Sequence, residues 1–143
     1  MKPRILVPFD FSPTAESALL WAADLHRSLG GELKLVHVLP TVPMGVSVAG
    51  ELPMPAPSEV DVAKLDDELQ KVAERFVPGA ATEVLFAANP SEGVLHAADT
   101  WIPDLIVIGT HGRGGVKRLL LGSVADVLVR TATCPVVTVR GTV

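Results

Sequence analysis

The chain has 143 residues, 48% hydrophobic and 20% charged, with a formal net charge of −4. That length suits one domain able to bury about two-thirds of its unfolded surface, and the composition excludes a disordered segment. The negative balance, four Phe, two Trp and no Tyr argue against a nucleic-acid partner or an anionic membrane surface, so any anion site has to be local.

The opening stretch MKPRILVPFDFSP sets two cations before an apolar run, as a secretory signal would. Pro8 and Asp10 cut the run short, and nowhere does the chain approach about 18 uninterrupted apolar residues, so a cytoplasmic protein is expected. One cysteine, Cys134, allows no internal disulfide and no multi-cysteine metal site. It reads as a small buried hydrophobe or, alternatively, as a redox sensor.

RILVPF (4–9) is a first buried strand, rich in branched residues and short of polar alternation. Ser12 then suits an N-cap with Pro13 at the first helical position, and Ala15, Ala18, Leu19, Ala22 and Leu25 mark one apolar face. Gly30 and Gly31 stop that helix, and LKLVHVL (33–39) is a second strand. Residues 40–57 hold five prolines and two glycines, a connection long enough to be either a lid over a ligand or a solvated excursion. From Ser58 a second helix is marked by Val62, Leu65, Leu69, Val72 and Phe76, ended by Pro78-Gly79. TEVLFA (82–87) is a third strand, and Asn89-Pro90 opens a third helix reaching Trp101. DLIVIG (104–109) is a fourth strand, a fourth helix runs from Ser123 through Arg130, and PVVTVR (135–140) is a more clearly alternating last strand. The order βαβαβαβαβ predicts a single α/β domain over residues 1–143, a parallel sheet with helices on both faces.

Open α/β sheets bind ligands beyond the carboxyl ends of their strands, which singles out Asp10, Val38 and Gly109. Beyond Gly109 lies GTHGRGGVKRLLLGS, with Arg113, Lys117 and Arg118 and no acidic residue between Asp104 and Asp126. It contains no Walker A string, and Lys117 stands where a G-x-G-x-x-G fingerprint starting at Gly112 needs its last glycine. Glycines nevertheless let backbone N–H groups approach phosphate oxygens and permit positive φ. Ser123 at a helix start adds a hydroxyl and the positive end of the helix dipole. The competing reading is a solvated loop.

The string DLIVIGTHGRGGVKRLLLGSVADVLVRTATCPVVTVR closely resembles the C-terminal signature of the universal stress protein family. That family's ATP-binding branch carries G-x2-G-x9-G-[ST], matched here by Gly109, Gly112, Gly122 and Ser123. ILVPFDFSPTAESALLWAADL and LVHVL are similar to its first strand, turn, helix and second strand. The resemblance implies an open five-stranded parallel sheet of order 3-2-1-4-5, of the adenine nucleotide alpha hydrolase-like kind. It implies that Asp10, beside Pro8 and Ser12, lies near the adenosine part of a nucleotide and that the backbone of Val38 recognises adenine. Gly109, His111, Gly112 and Arg113 would run along ribose and phosphates, and Gly122, Ser123 and Val124 would receive the phosphate chain. It further implies ATP as ligand, with Mg²⁺ accompanying it through the phosphates, and a homodimer paired along the last strand, 135–140. A bare strand edge agrees with pairing on its own account.

Other readings stay open. Asp10 and Ser12 could do no more than cap the first helix. His37, within a strand, is more often a satisfied core residue than a ligand, and His26 and His96 fall in helices away from the glycine stretch. The four histidines show no zinc-type spacing. An ATP-binding regulatory or stress-response homodimer with an unidentified protein partner is the leading function. A slow ATPase or phosphoryl-transfer enzyme and an interaction module with a vestigial nucleotide site are the rivals. Efficient hydrolysis would need a positioned base, and none stands beside the glycine motif.

Overall fold

Ile5, Leu6 and Val7 are consecutive and all fully buried, so the first strand has no solvent face. Such a strand needs helices above and below it. The computed structural model describes residues 2–41, 59–110 and 121–141. The Pro-rich connection lies outside them apart from Pro40 and Thr41, as do His111, Gly112, Arg113, Lys117 and Arg118. The elements are β1 (Arg4–Pro8), α1 (Pro13–Leu29), β2 (Glu32–Pro40), α2 (Glu59–Phe76), β3 (Ala81–Ala87), α3 (Pro90–Trp101), β4 (Leu105–Gly109), α4 (Ser123–Thr131) and β5 (Val136–Val139). The strands form one parallel sheet of order β3-β2-β1-β4-β5, the expected 3-2-1-4-5 arrangement.

Alternation along the strands divides the core in two. Ile5, Val7, Leu33, Leu35 and Val107 face α1 and α2, meeting Ala15, Ala18, Leu19, Ala22, Leu69 and Ala73. Leu6, Val36, Ile106 and Ile108 face α3 and α4, meeting Val94, Ala97, Ala125 and Leu128. In β5, Val137 and Val139 lean on the first core and Val136 on the second, and all four residues are half-buried. Its alternation therefore divides side chains between two cores, where a one-sided strand would divide them between core and water.

Helix ends follow their chemistry. Ser12 Oγ accepts from the N–H of Ala15 at 3.2 Å, and Pro13 occupies the first turn. At the other end Gly30 (φ 74) donates to the carbonyl of His26, and Gly31 (φ 97) leads into β2. A Cβ at Gly31 would collide with the Pro3 carbonyl, and that carbonyl accepts from Glu32 N at 3.0 Å, which starts β2 one residue earlier than expected. Asn89 caps α3 by accepting from Glu92 N at 3.0 Å. That helix ends on Ile102, a β-branched residue held at φ 54 just before Pro103.

The N-terminal rim of the sheet is closed by charge. The Arg4 guanidinium lies 4.4 Å above the Trp101 ring and pairs with Glu32 at 3.0 Å, while the Arg4 N–H donates to Asp104 at 2.7 Å. Lys34, only 15% exposed, pairs with Glu83 at 2.9 Å. Among the described residues no helix is long and apolar enough to cross a membrane.

Two glycines separate strain from collision. Gly79→Ala, at φ 86 with open space around the new methyl, is expected to cost about 1–2 kcal/mol of left-handed strain. Gly31→Ala adds the collision with Pro3 and should cost clearly more. Urea unfolding of both variants checks the order.

Candidate functional site

The sheet reverses its winding between β1 and β4, and the carboxyl ends of these two strands form the crevice where such folds take ligands. Two corners of backbone bound it.

The first corner is the turn from β1 into α1. Pro8 ends β1 fully packed, and Phe9 N extends the ladder by donating to Val36 O at 2.8 Å. The Phe9 carbonyl lies 2.8 Å from His37 Nδ1. A carbonyl only accepts, so Nδ1 carries the hydrogen and His37 is the satisfied histidine that its strand position suggests. Phe11 sits at φ 63, an uncommon backbone for so bulky a residue. Its ring is held edge-on between Phe9 and His37, with centroids 5.1 Å away on either side. That conformation lets Asp10 Oδ1 accept from Ser12 N at 3.0 Å, a local turn that orders the carboxylate. Ser12 is buried, and its hydroxyl receives the Ala15 N–H and lies 3.2 Å from Thr14 Oγ1.

Beside this corner stands Val38, near the end of β2 on the opposite face from His37. Its methyl groups rest on Gly93 of α3, where an added Cβ would fall 2.6 Å from both of them and 2.9 Å from Leu85. Periodicity gives no role to a glycine inside a helix. Its reason is the close approach of α3 to the strand that carries Val38.

The second corner joins β4 to α4. Gly109 does not take a positive φ, and Gly122 sits at φ −67, so left-handed backbone is not what these two positions ask of glycine. Gly109 is glycine because α1 crowds it: a Cβ there would fall 2.6 Å from the Thr14 carbonyl oxygen and 2.8 Å from its carbon. Thr110 prolongs the strand by donating to Val139 O at 3.0 Å, and its own carbonyl accepts from Gly122 N. The chain leaves the sheet and returns to α4 at one point. Gly122 is the N-cap of α4, its carbonyl accepts from Asp126 N at 2.9 Å, and no side chain among the described residues caps the helix. Ser123 is exposed at the first helical position and Val124 is half-buried behind it. The N–H groups of the first turn have no partner within the helix, and they carry the positive end of its dipole.

Thr110 is a residue that motif reasoning missed, since it falls on an undefined position of G-x2-G. Its side chain is buried, and Oγ1 has no hydrogen-bond partner among the described residues. A buried hydroxyl left unpaired costs about 1–3 kcal/mol.

The remaining candidates lie elsewhere. His26 Nε2 is 3.2 Å from the Gly31 carbonyl at the opposite rim, and His96 is exposed on α3. Cys134 is half-buried against the α3/α4 core, and burial pushes its thiol pKa up, which suits a packing residue better than a sensor. Among the described residues no cluster of three or more His, Cys, Asp or Glu could hold a metal. The crevice thus offers a turn with an ordered carboxylate on one side and a helix start without a side-chain cap on the other. Backbone amides of that kind suit an anion.

A family model described as the universal stress protein family matches residues 1–140. A universal stress protein of Methanocaldococcus jannaschii is 31% identical over 140 residues, 96% of this chain and 81% of that protein. A longer Mycobacterium tuberculosis relative is 31% identical over 136 residues, 95% of this chain and 45% of that one. Universal stress protein UspA from Lactobacillus plantarum has a similar structure, with a TM-score of 0.71 at 25% identity over 96% of this chain and 97% of that one. The same fold is found in a universal stress protein in complex with cAMP, TM-score 0.70 at 19% identity, covering 98% of each chain. It is found again in one from Archaeoglobus fulgidus in complex with dAMP, TM-score 0.65 at 24% identity, covering 96% of this chain and 97% of that one.

Gly109→Ala is expected to lower the melting temperature of the protein without any added nucleotide, because the methyl meets the α1 backbone. Ser12→Ala should cost about 1 kcal/mol through the lost cap, read by urea unfolding. The raised pKa of Cys134 predicts slow alkylation by iodoacetamide at neutral pH, accelerating only above the usual thiol range.

Proposed function

The chain belongs to the universal stress protein family, and we propose that it is an adenine-nucleotide-binding member, taking ATP and acting as a regulatory homodimer. The observation that carries this is the start of α4. Gly122 is bonded back to Thr110 at the strand end, no side chain among the described residues caps the helix, and Gly109 and Gly122 of G-x2-G-x9-G-[ST] lie at the β1/β4 crevice. A phosphate chain would lie along the segment Gly122, Ser123 and Val124, taking the amides of Ser123 and Val124, since the Gly122 N–H is engaged with Thr110. The nucleoside would extend toward Asp10 and Pro8, with adenine against the backbone of Val38. His111, Gly112 and Arg113 would complete the phosphate side, and Mg²⁺ would ride on the phosphates. That relatives in fold are complexes with cAMP and dAMP supports an adenine ligand.

Binding and release change the protein only through unequal affinity for two conformations, so regulation rests on what the nucleotide holds in place. Pairing of two copies would use β5, which ends the sheet with one edge unoccupied among the described residues.

Isothermal titration with ATP, AMP and cyclic AMP tests the reading. ATP should bind below millimolar concentration, Gly112→Val should abolish binding, and Asp10→Asn should weaken ATP and AMP alike. Absence of binding at millimolar ATP, or full affinity in Gly112→Val, overturns it. A single-turnover assay with ATP and Mg²⁺ should form no product within seconds. Sedimentation should give the mass of a dimer.

A further inference from the structure

The hydroxyl of Thr110 stands in a place that packing does not explain. The Thr110 N–H is bonded to Val139 O and its carbonyl to Gly122 N, so the backbone of this residue is fully engaged. Only the side chain is left, 2% exposed, with Oγ1 unpaired among the described residues. Valine has the same shape and would fill the space without a hydroxyl to satisfy. The bond to Val139 carries strand alternation one residue past Gly109. Gly109 faces α1, where it meets Thr14, while Ile108 belongs to the core under α3 and α4. Thr110 therefore faces the α4 side, beneath the helix start to which its own carbonyl is tied.

Donors then gather at one point: the first-turn N–H groups of α4 and one O–H that can rotate toward them. A group that offers only acceptors answers all of them, and an ionised phosphoryl group is of that kind. We infer that Thr110 is a phosphate-binding residue, its hydroxyl donating to an oxygen of the phosphoryl group held at the N-terminus of α4. This rests on the nucleotide reading above and adds to it a side-chain contact that the glycine motif leaves unspecified. The contact acts on the phosphate alone, so it discriminates phosphorylated ligands from the bare nucleoside.

The test titrates wild type, Thr110→Val and Thr110→Ser with ATP, adenosine and inorganic pyrophosphate, and melts each protein without ligand. Thr110→Val is expected to bind ATP and pyrophosphate on the order of tenfold more weakly than wild type, the loss typical of one hydrogen bond to a charged group. Adenosine affinity should stay within about twofold, and Thr110→Ser should recover most of the loss. The ligand-free melting temperature of Thr110→Val should be equal to that of wild type or higher, because an unpaired hydroxyl has been replaced by a methyl. Unchanged ATP affinity in Thr110→Val overturns the inference and leaves the nucleotide reading standing. So does an equal loss for ATP and adenosine, or a lower melting temperature without ligand, since either marks a structural hydroxyl bonded to internal water. Wild type that binds pyrophosphate through Thr110 but binds no ATP overturns the nucleotide reading and keeps this one. Binding of neither ligand overturns both.

Discussion

The approach of α1 to the end of β4 governs the functional end of the molecule. Where Gly109 meets the Thr14 backbone there is no room for even a methyl group. That contact fixes the first turn of α1, and with it the Asp10–Ser12 turn, against the strand that leads to α4. Two corners far apart in sequence become the walls of one crevice. A larger residue at 109 would push the walls apart before it touched any ligand. The first glycine of the motif is thus a packing residue in its own right.

The two ends of the sheet are built on opposite principles. At the N-terminal rim, Arg4, Glu32, Lys34, Glu83 and Asp104 satisfy one another around Trp101. Side chains there consume the charge. Among the described residues of the C-terminal rim, the donors at the start of α4 are backbone amides, which cannot swing away to pair with each other. Fixed dipoles of this kind hold their orientation with or without a ligand, and so they lose little on binding.

Most of the fold was legible because it is written locally. Runs such as RILVPF and DLIVIG have no polar alternation since both faces of the sheet are covered, and helix punctuation at Ser12, Gly30, Asn89 and Pro90 appears where it was expected. Boundaries moved by a residue where a distant partner decides them, as the Pro3 carbonyl does for Glu32. The order of the strands came from the family resemblance, since alternating elements fix a parallel sheet and not its sequence of neighbours. What stayed hidden depends on contacts between distant segments. Gly93 answers to Val38 and Leu85, Gly109 to Thr14, and the burial of Thr110 to the closing of α4 onto β4. No periodicity carries that information, and motif spacing locates such positions without giving their reason.

The hydrogen bond from Gly122 to the Thr110 carbonyl has an evolutionary consequence. It makes the chain between them a closed ring of sequence, whose two ends the fold clamps side by side. The entropic cost of bringing two ends of a chain segment together grows only logarithmically with its length, about 0.6 kcal/mol per doubling. Residues between the two ends can be exchanged while sheet and helix stay where they are.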